Sequence, residues 1–148
     1  MLWHTDWTLC PFTGSYLIAF IDDHSRFIVH AEYFNNASTE NTIIAFALAI
    51  KKYGIPDAIL TDNGSQFHIH GMFEEFCKSK NIHHILGRVH HPQTNGKIER
   101  LFGTYKLKFK EGQDTLDSFV KFYNEERLHQ GINYSTPLQR YKSNINSV

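Results

Sequence analysis

Apolar and polar residues alternate along 2–8, LWHTDWT, in a stretch rich in β-forming side chains, which predicts a strand interrupted by Asp6. Residues 11–15 are turn material. The apolar run 16–21 predicts a second strand, Asp22-Asp23-His24-Ser25 a turn, and 27–34 a third strand. Such short connections fit an antiparallel meander. The period then changes. Ser38 or Thr39 caps a helix with apolar positions at Ile43, Ile44, Phe46, Ala47 and Ile50, which Gly54 and Pro56 end. Ala58–Thr61 is a short strand closing on the sharp turn Asp62-Asn63-Gly64. Residues 71–80 read as a helix with Met72, Phe73, Phe76 and Cys77 inward, and 82–86 as a fifth strand.

Beyond residue 86 the pattern is helical. Pro92 stops what precedes it, and Thr94 and Asn95 suit an N-cap. Ile98, Leu101, Phe102, Tyr105 and Phe109 then form one apolar face, which Gly112 is expected to break. A long helix over 116–128 carries Phe119, Val120, Phe122 and Tyr123 inward, and 137–141 allows one helical turn. Three strands, a helix, a strand, a helix, a strand and further helices predict an α/β fold with a mixed sheet flanked by helices. At 148 residues, one domain spanning 1–148 is expected.

Composition adds mostly exclusions. No apolar run is long enough to span a membrane, and the first residues lack a signal-peptide pattern. Cys10 and Cys77 stand far apart without paired spacing, so an intracellular, reducing setting is expected. Formal net charge is zero, but its distribution is uneven. Residues 78–110 hold eight lysines and arginines and a single acid, Glu99, which predicts a basic face beside an acidic centre.

Three carboxylates stand out. Asp6 sits in a strand that otherwise reads as buried, where an unpaired carboxylate is costly. Asp62 ends another strand, the place where ligand-binding groups gather in α/β sheets, although an Asp-Asn-Gly turn also uses Asp locally. Glu99 sits on the rim of the apolar face, with Asn95 behind it and Lys106 and Lys110 ahead on the same side. That arrangement suggests a metal ligand beside an anionic substrate; the alternative is a solvated glutamate. Gln93, Asn95 and Lys97 stand at the loop-to-helix junction, where polar side chains and free amides suit phosphate. Among the ten histidines none has the i, i+4 helical spacing of a zinc protease. Trp3 and Trp7 read as core, and Asp22 and Asp23 as turn residues.

WHTDWT, LTDNGSQF and HHPQTNGKIER resemble, in order, the three acidic blocks of the retroviral integrase and bacterial insertion-sequence transposase catalytic core, the D,D,E family. The tail FYNEERLHQGINYSTPLQRY is similar to the segment closing many such cores. The resemblance implies a ribonuclease H-like fold with a five-stranded mixed sheet flanked by helices. It implies a polynucleotidyl transferase that cleaves and joins DNA strands. Asp6, Asp62 and Glu99 would be the catalytic residues and would bind two Mg²⁺ or Mn²⁺ ions, hard cations that favour carboxylate oxygens. Asn63 and Gln66 match the second block; with Gln93, Asn95, Lys97, Lys106 and Lys110 they make up the expected DNA-contact set. Gly103 stands where retroviral cores often carry a lysine. Implied partners are element-end and target DNA and further copies of the chain, as a homodimer or larger assembly without a membrane. In a prokaryote the location would be cytoplasmic or nucleoid-associated. The rival readings are a ribonuclease H-type nuclease and a domesticated, non-catalytic DNA-binding module.

Overall fold

The computed structural model describes residues 1–68, 70–87 and 96–147. All five strands form: β1 (Leu2–Leu9), β2 (Tyr16–Asp22), β3 (Ile28–Phe34), β4 (Ala58–Thr61) and β5 (His83–Leu86). They make one mixed sheet in the order β3-β2-β1-β4-β5. The β1–β2 and β2–β3 pairs are antiparallel, whereas β1–β4 and β4–β5 are parallel. The helices are α1 (Thr39–Tyr53), α2 (Met72–Ser79), α3 (Gly96–Lys108), α4 (Leu116–Glu125) and α5 (Pro137–Ile145).

Helices cover both faces of the sheet, which is why β2 reads as a continuous apolar run instead of an alternating one. Ile18 and Phe20 face a core shared with Trp3, Phe46 of α1, Phe73 of α2 and Tyr141 of α5. Phe46 stacks on Phe20 at 5.2 Å and on Phe73 at 5.9 Å. Leu17, Ala19 and Ile21 face the opposite core, with Ile98, Leu101, Phe102 and Tyr105 of α3 and Phe119 and Tyr123 of α4. Asn124 fastens α4 to β3. Its Oδ1 accepts from the Ile28 amide at 2.8 Å and its Nδ2 donates to the Ile28 carbonyl at 3.1 Å.

Local signals account for most helix ends. The Ser38 side chain caps α1, and Gly54, at φ 87°, ends it. Thr115 and Thr136 form capping boxes for α4 and α5.

Several expected boundaries and faces are corrected. The inward side of α1 is Thr42, Ala45, Phe46 and Ala49, whereas Ile44 is 51% exposed and Ala47 also faces solvent. Apolar residues lie on several sides of this helix, and the small Ala45 and Ala49 let it sit close to the sheet. Met72 is likewise exposed. Helix α3 ends at Lys108, before Gly112, which lies in the following turn at φ 76°. Helix α4 stops at Glu125, short of residue 128, because the Glu126 and Arg127 amides both turn back to the Phe122 carbonyl. Helix α5 runs nine residues, well beyond one turn, from a capping box with proline in its first turn. Among the described residues no helix is long and apolar enough to cross a membrane.

Candidate active site

Strand alternation and sheet register bring the carboxylates together. Trp3 and Trp7 turn toward the α1 core, where the Trp7 indole donates to Thr42 Oγ1 at 3.0 Å. Asp6, one residue out of phase with them, therefore emerges on the face that α3 covers. The parallel β1–β4 register pairs His4 with Leu60. Continued by two residues, it sets Asp6 beside Asp62, just past the end of β4 in the centre of the sheet. Glu99 lies in the first turn of α3, exposed, and near enough for its charge to act on Asp6.

The electrostatics agree with that placement. Burial, then the neighbouring Asp62 carboxylate, push the Asp6 carboxyl up to about 7; Glu99 adds a smaller push, and the Trp7 amide opposes. That amide donates to Asp6 Oδ1 at 2.7 Å. Asp62 Oδ1 accepts from the Gly64 amide at 2.8 Å, so the local turn role foreseen for Asp62 is present alongside its place near Asp6. Among the described residues none of the three carboxylates takes part in an ion pair. Nor do any three His, Cys, Asp or Glu side chains converge closely enough to hold a metal ion. The three acids are thus coupled through space without being drawn around one point. An uncompensated set of hard oxygen donors of this kind fits a divalent cation of the Mg²⁺ or Mn²⁺ type.

Asp23 has a larger part than turn residue. Its Oδ1 lies 2.7 Å from His4 Nε2 and 2.5 Å from Lys97 Nζ. The His4 hydrogen bond, with Lys97 beside it, holds the Asp23 carboxyl far below the usual carboxylate range. Lys97, expected to face DNA, is thus engaged within the protein, two residues before Glu99. The sequence signal that could have found this is the buried His4, in phase with Asp6 on β1.

Of the other expected contact residues, Asn63 is exposed and donates to the Gly87 carbonyl at 3.2 Å. Gln66 is half-buried close to Asp62. A Cβ at Gly64 would stand 2.5 Å from Gln66 Oε1 and 2.9 Å from Asp62 Oδ1. Lys106 is exposed on α3 and Lys110 lies beyond its end. Gln93 and Asn95, with the Thr94 cap, His90 and His91, lie outside the described residues.

Integrase core domain models match residues 1–92 and 80–137. The chain belongs to the integrase core domain family. Among curated relatives of this family, a putative integrase of Spiroplasma virus SpV1-C74 is 34% identical over 82% of this chain and 40% of its own length. The transposase for transposon Tn552 of Staphylococcus aureus is 31% identical over 87% of this chain and 32% of its own. The chain therefore spans well under half the length of either relative. A solved HTLV-2 integrase catalytic core domain, a dimeric form in complex with magnesium, superposes with a TM-score of 0.68 at 28% identity, covering 96% of this chain and 94% of that one. With the strand order described above, the fold is the ribonuclease H-like fold of retroviral integrase cores.

Proposed function

We propose that this chain is the catalytic core of a DNA integrase or transposase that cleaves DNA strands and joins them to a target, with divalent metal. The observation that carries this reading is the placement of Asp6, half-buried on β1 beside Asp62 and within electrostatic reach of Glu99, which together with desolvation raises its carboxyl. A fold gains nothing from such repulsion unless a cation relieves it, and perturbed groups of this kind cluster at functional sites. Family membership, and relatives named integrase and transposase, support this reaction class.

In this reading Asp6, Asp62 and Glu99 are the catalytic residues and hold two Mg²⁺ or Mn²⁺ ions. Bound there, the ions would lower the pKa of an attacking hydroxyl and stabilise charge on the phosphodiester oxygens. Asp6 would supply the half-buried carboxylate, Asp62 is oriented by the Gly64 amide, and Glu99 comes in from α3. Asp23 is a positioning residue that holds Lys97 and with it the start of α3. Asn63, Gln66, Lys106 and Lys110 would touch DNA. The chain would act on element-end and target DNA as a homodimer or larger assembly, a form supported by the dimeric HTLV-2 core.

The test uses donor DNA with labelled ends in Mn²⁺, scored for both nicking and joining. Asp6→Asn, Asp62→Asn and Glu99→Gln are each expected to abolish both steps with the fold intact, because an amide keeps the shape and loses the charge. Near wild-type activity in any one removes that residue from the site. Nicking of RNA–DNA hybrids without joining would favour the nuclease reading instead.

A further inference from the structure

A cleft of about 620 Å³ opens on the other flank of α3, between that helix, the turn before β3 and the segment following α4. Arg26, Lys97, Arg100 and Arg127 line it, and among the described residues no acidic one does. Among the described residues only Lys97 of these four is in an ion pair, with Asp23. Arg26 donates to the Asp23 carbonyl, which leaves its charge uncompensated. Arg127 lies over the Tyr123 ring at 5.7 Å and 3.0 Å from Nδ1 of His129. Burial and these arginines push the His129 imidazole down to about 4, so at neutral pH it adds no charge of its own.

Two further features point to what the cleft takes. Its rim carries large exposed side chains, with Tyr134 65% exposed, Leu107 84% and Leu128 59%. And the backbone is held in an unfavourable region where it lines the cleft: Arg26 at φ 66° and Tyr134 at φ 57°, two of the four non-glycine residues with positive φ among those described. Bulky side chains rarely adopt that conformation, and it gathers at ligand sites.

We propose that this cleft binds a single-stranded segment of the DNA, with backbone phosphates on Arg26, Arg100 and Arg127 and an unpaired base stacked on Tyr134. The proposal rests on the function proposed above. Arginine forks suit phosphate oxygens, and an aromatic platform beside a cationic groove is how unpaired strands are held without sequence reading. The volume is that of a small-molecule cleft, which admits an extended strand and excludes a double helix. The α3 wall from Lys97 to Leu107 is about 15 Å long, enough for several consecutive phosphates. Lys97 and Arg100 belong to the same first turns of α3 as Glu99 but project to a different side, so a strand lying here runs along the flank of the helix that bears Glu99. The cleft is a separate wall from the Lys106 and Lys110 side of α3.

The test measures binding of a fluorescent single-stranded oligonucleotide and its duplex to the full chain, in EDTA, over a salt series. Arg100→Glu and Arg127→Gln are each expected to weaken single-strand binding roughly threefold or more at low salt and to flatten the salt slope by about one unit. Tyr134→Ala is expected to weaken single-strand binding about fivefold or more, with the duplex little changed and the salt slope kept, and Tyr134→Phe to restore it. Arg127 packs on Tyr123, so Arg100→Glu, at an exposed position, keeps the test valid if Arg127→Gln misfolds. Wild-type curves for Arg100→Glu overturn the phosphate groove. Equal losses for single strand and duplex in Tyr134→Ala overturn the stacking. Displacement of the strand by polyglutamate at matched charge overturns the nucleic-acid assignment in favour of an acidic protein partner. A wild-type chain that binds no DNA sinks the function proposed above as well, whereas DNA binding that none of these substitutions alters sinks the cleft alone.

Discussion

The Lys97 ammonium lies 2.5 Å from Oδ1 of Asp23, an ion pair that ties the first turn of α3 to the turn between β2 and β3. The same carboxylate oxygen meets His4, a buried residue two positions before Asp6 on β1. One carboxylate therefore connects the strand that bears Asp6 to the helix that bears Glu99. Both these partners lie within the protein, so the carboxylate acts as a brace between the two elements.

Lys97→Ala is expected to lower strand cleavage and joining about 10- to 100-fold, because small misplacements of a reacting group have that effect. The melting temperature should move little, since the pair is partly exposed and such pairs contribute about 1 kcal/mol or less. Asp23→Ala should destabilise more, by about 1–3 kcal/mol, because it leaves His4 buried without its partner. Thermal melts beside a nicking assay check both; a Lys97→Ala variant with full activity would mean α3 is positioned by packing alone.

The pH dependence of the metal-free protein has two opposed contributors. The Asp6 carboxyl is raised to about 7 in the fold, so the folded state binds its proton first and this group favours folding at low pH. That contribution fades as pH rises from about 4 through 7. The buried His129 is lowered to about 4, so the unfolded state takes its proton first and stability is lost as pH falls from about 6.5 to 4. Asp6→Asn should therefore be more stable than wild type at pH 8 without metal, with an advantage that shrinks toward pH 4. Denaturant titrations at pH 4, 6 and 8 measure it. Added Mn²⁺ should raise the wild-type melting temperature and leave that of Asp6→Asn nearly unmoved.

Gly64→Ala should disturb the site from behind. The added Cβ would stand 2.9 Å from Asp62 Oδ1 and 2.5 Å from Gln66 Oε1. Gln66 can swing away, but Asp62 is held by the Gly64 amide itself. Activity is expected to fall about tenfold or more, with weaker Mn²⁺ dependence of melting and an unchanged fold by circular dichroism. Full activity would show that Asp62 has room to shift.

Asn124→Leu should be among the more damaging single changes away from the carboxylates. It removes both partners of the Ile28 peptide group in a buried setting, leaving a donor and an acceptor unsatisfied. A loss of about 2–5 kcal/mol follows from two such groups, read as a shift in the denaturant midpoint. A loss below about 1 kcal/mol would mean that water replaces the side chain.

The chain's own pattern determined the sheet. Each strand was legible because β-branched and aromatic runs are bounded by Gly, Pro and Asp turns, and β2 is apolar on both faces because helices cover both. The acids at Asp6 and Asp62 were legible too. A carboxylate in an apolar strand is costly unless a charge or donor from elsewhere compensates it, and strand ends are where ligand-binding groups gather. Helix faces were less so. Ile44 and Met72 are apolar and exposed, because the pattern names every apolar position whereas packing selects one side, and small residues such as Ala45 and Ala49 decide how closely a helix approaches. What only the tertiary structure decided were relations across the chain. The parallel β1–β4 register sets Asp6 beside Asp62, Asp23 pairs with Lys97 across the chain, and Arg26, Arg100 and Arg127 share one cleft although they stand far apart in sequence. Periodicity records which way a side chain faces on its own element. It carries no information on which distant charge will stand opposite, because that depends on sheet order and on the helix that crosses it.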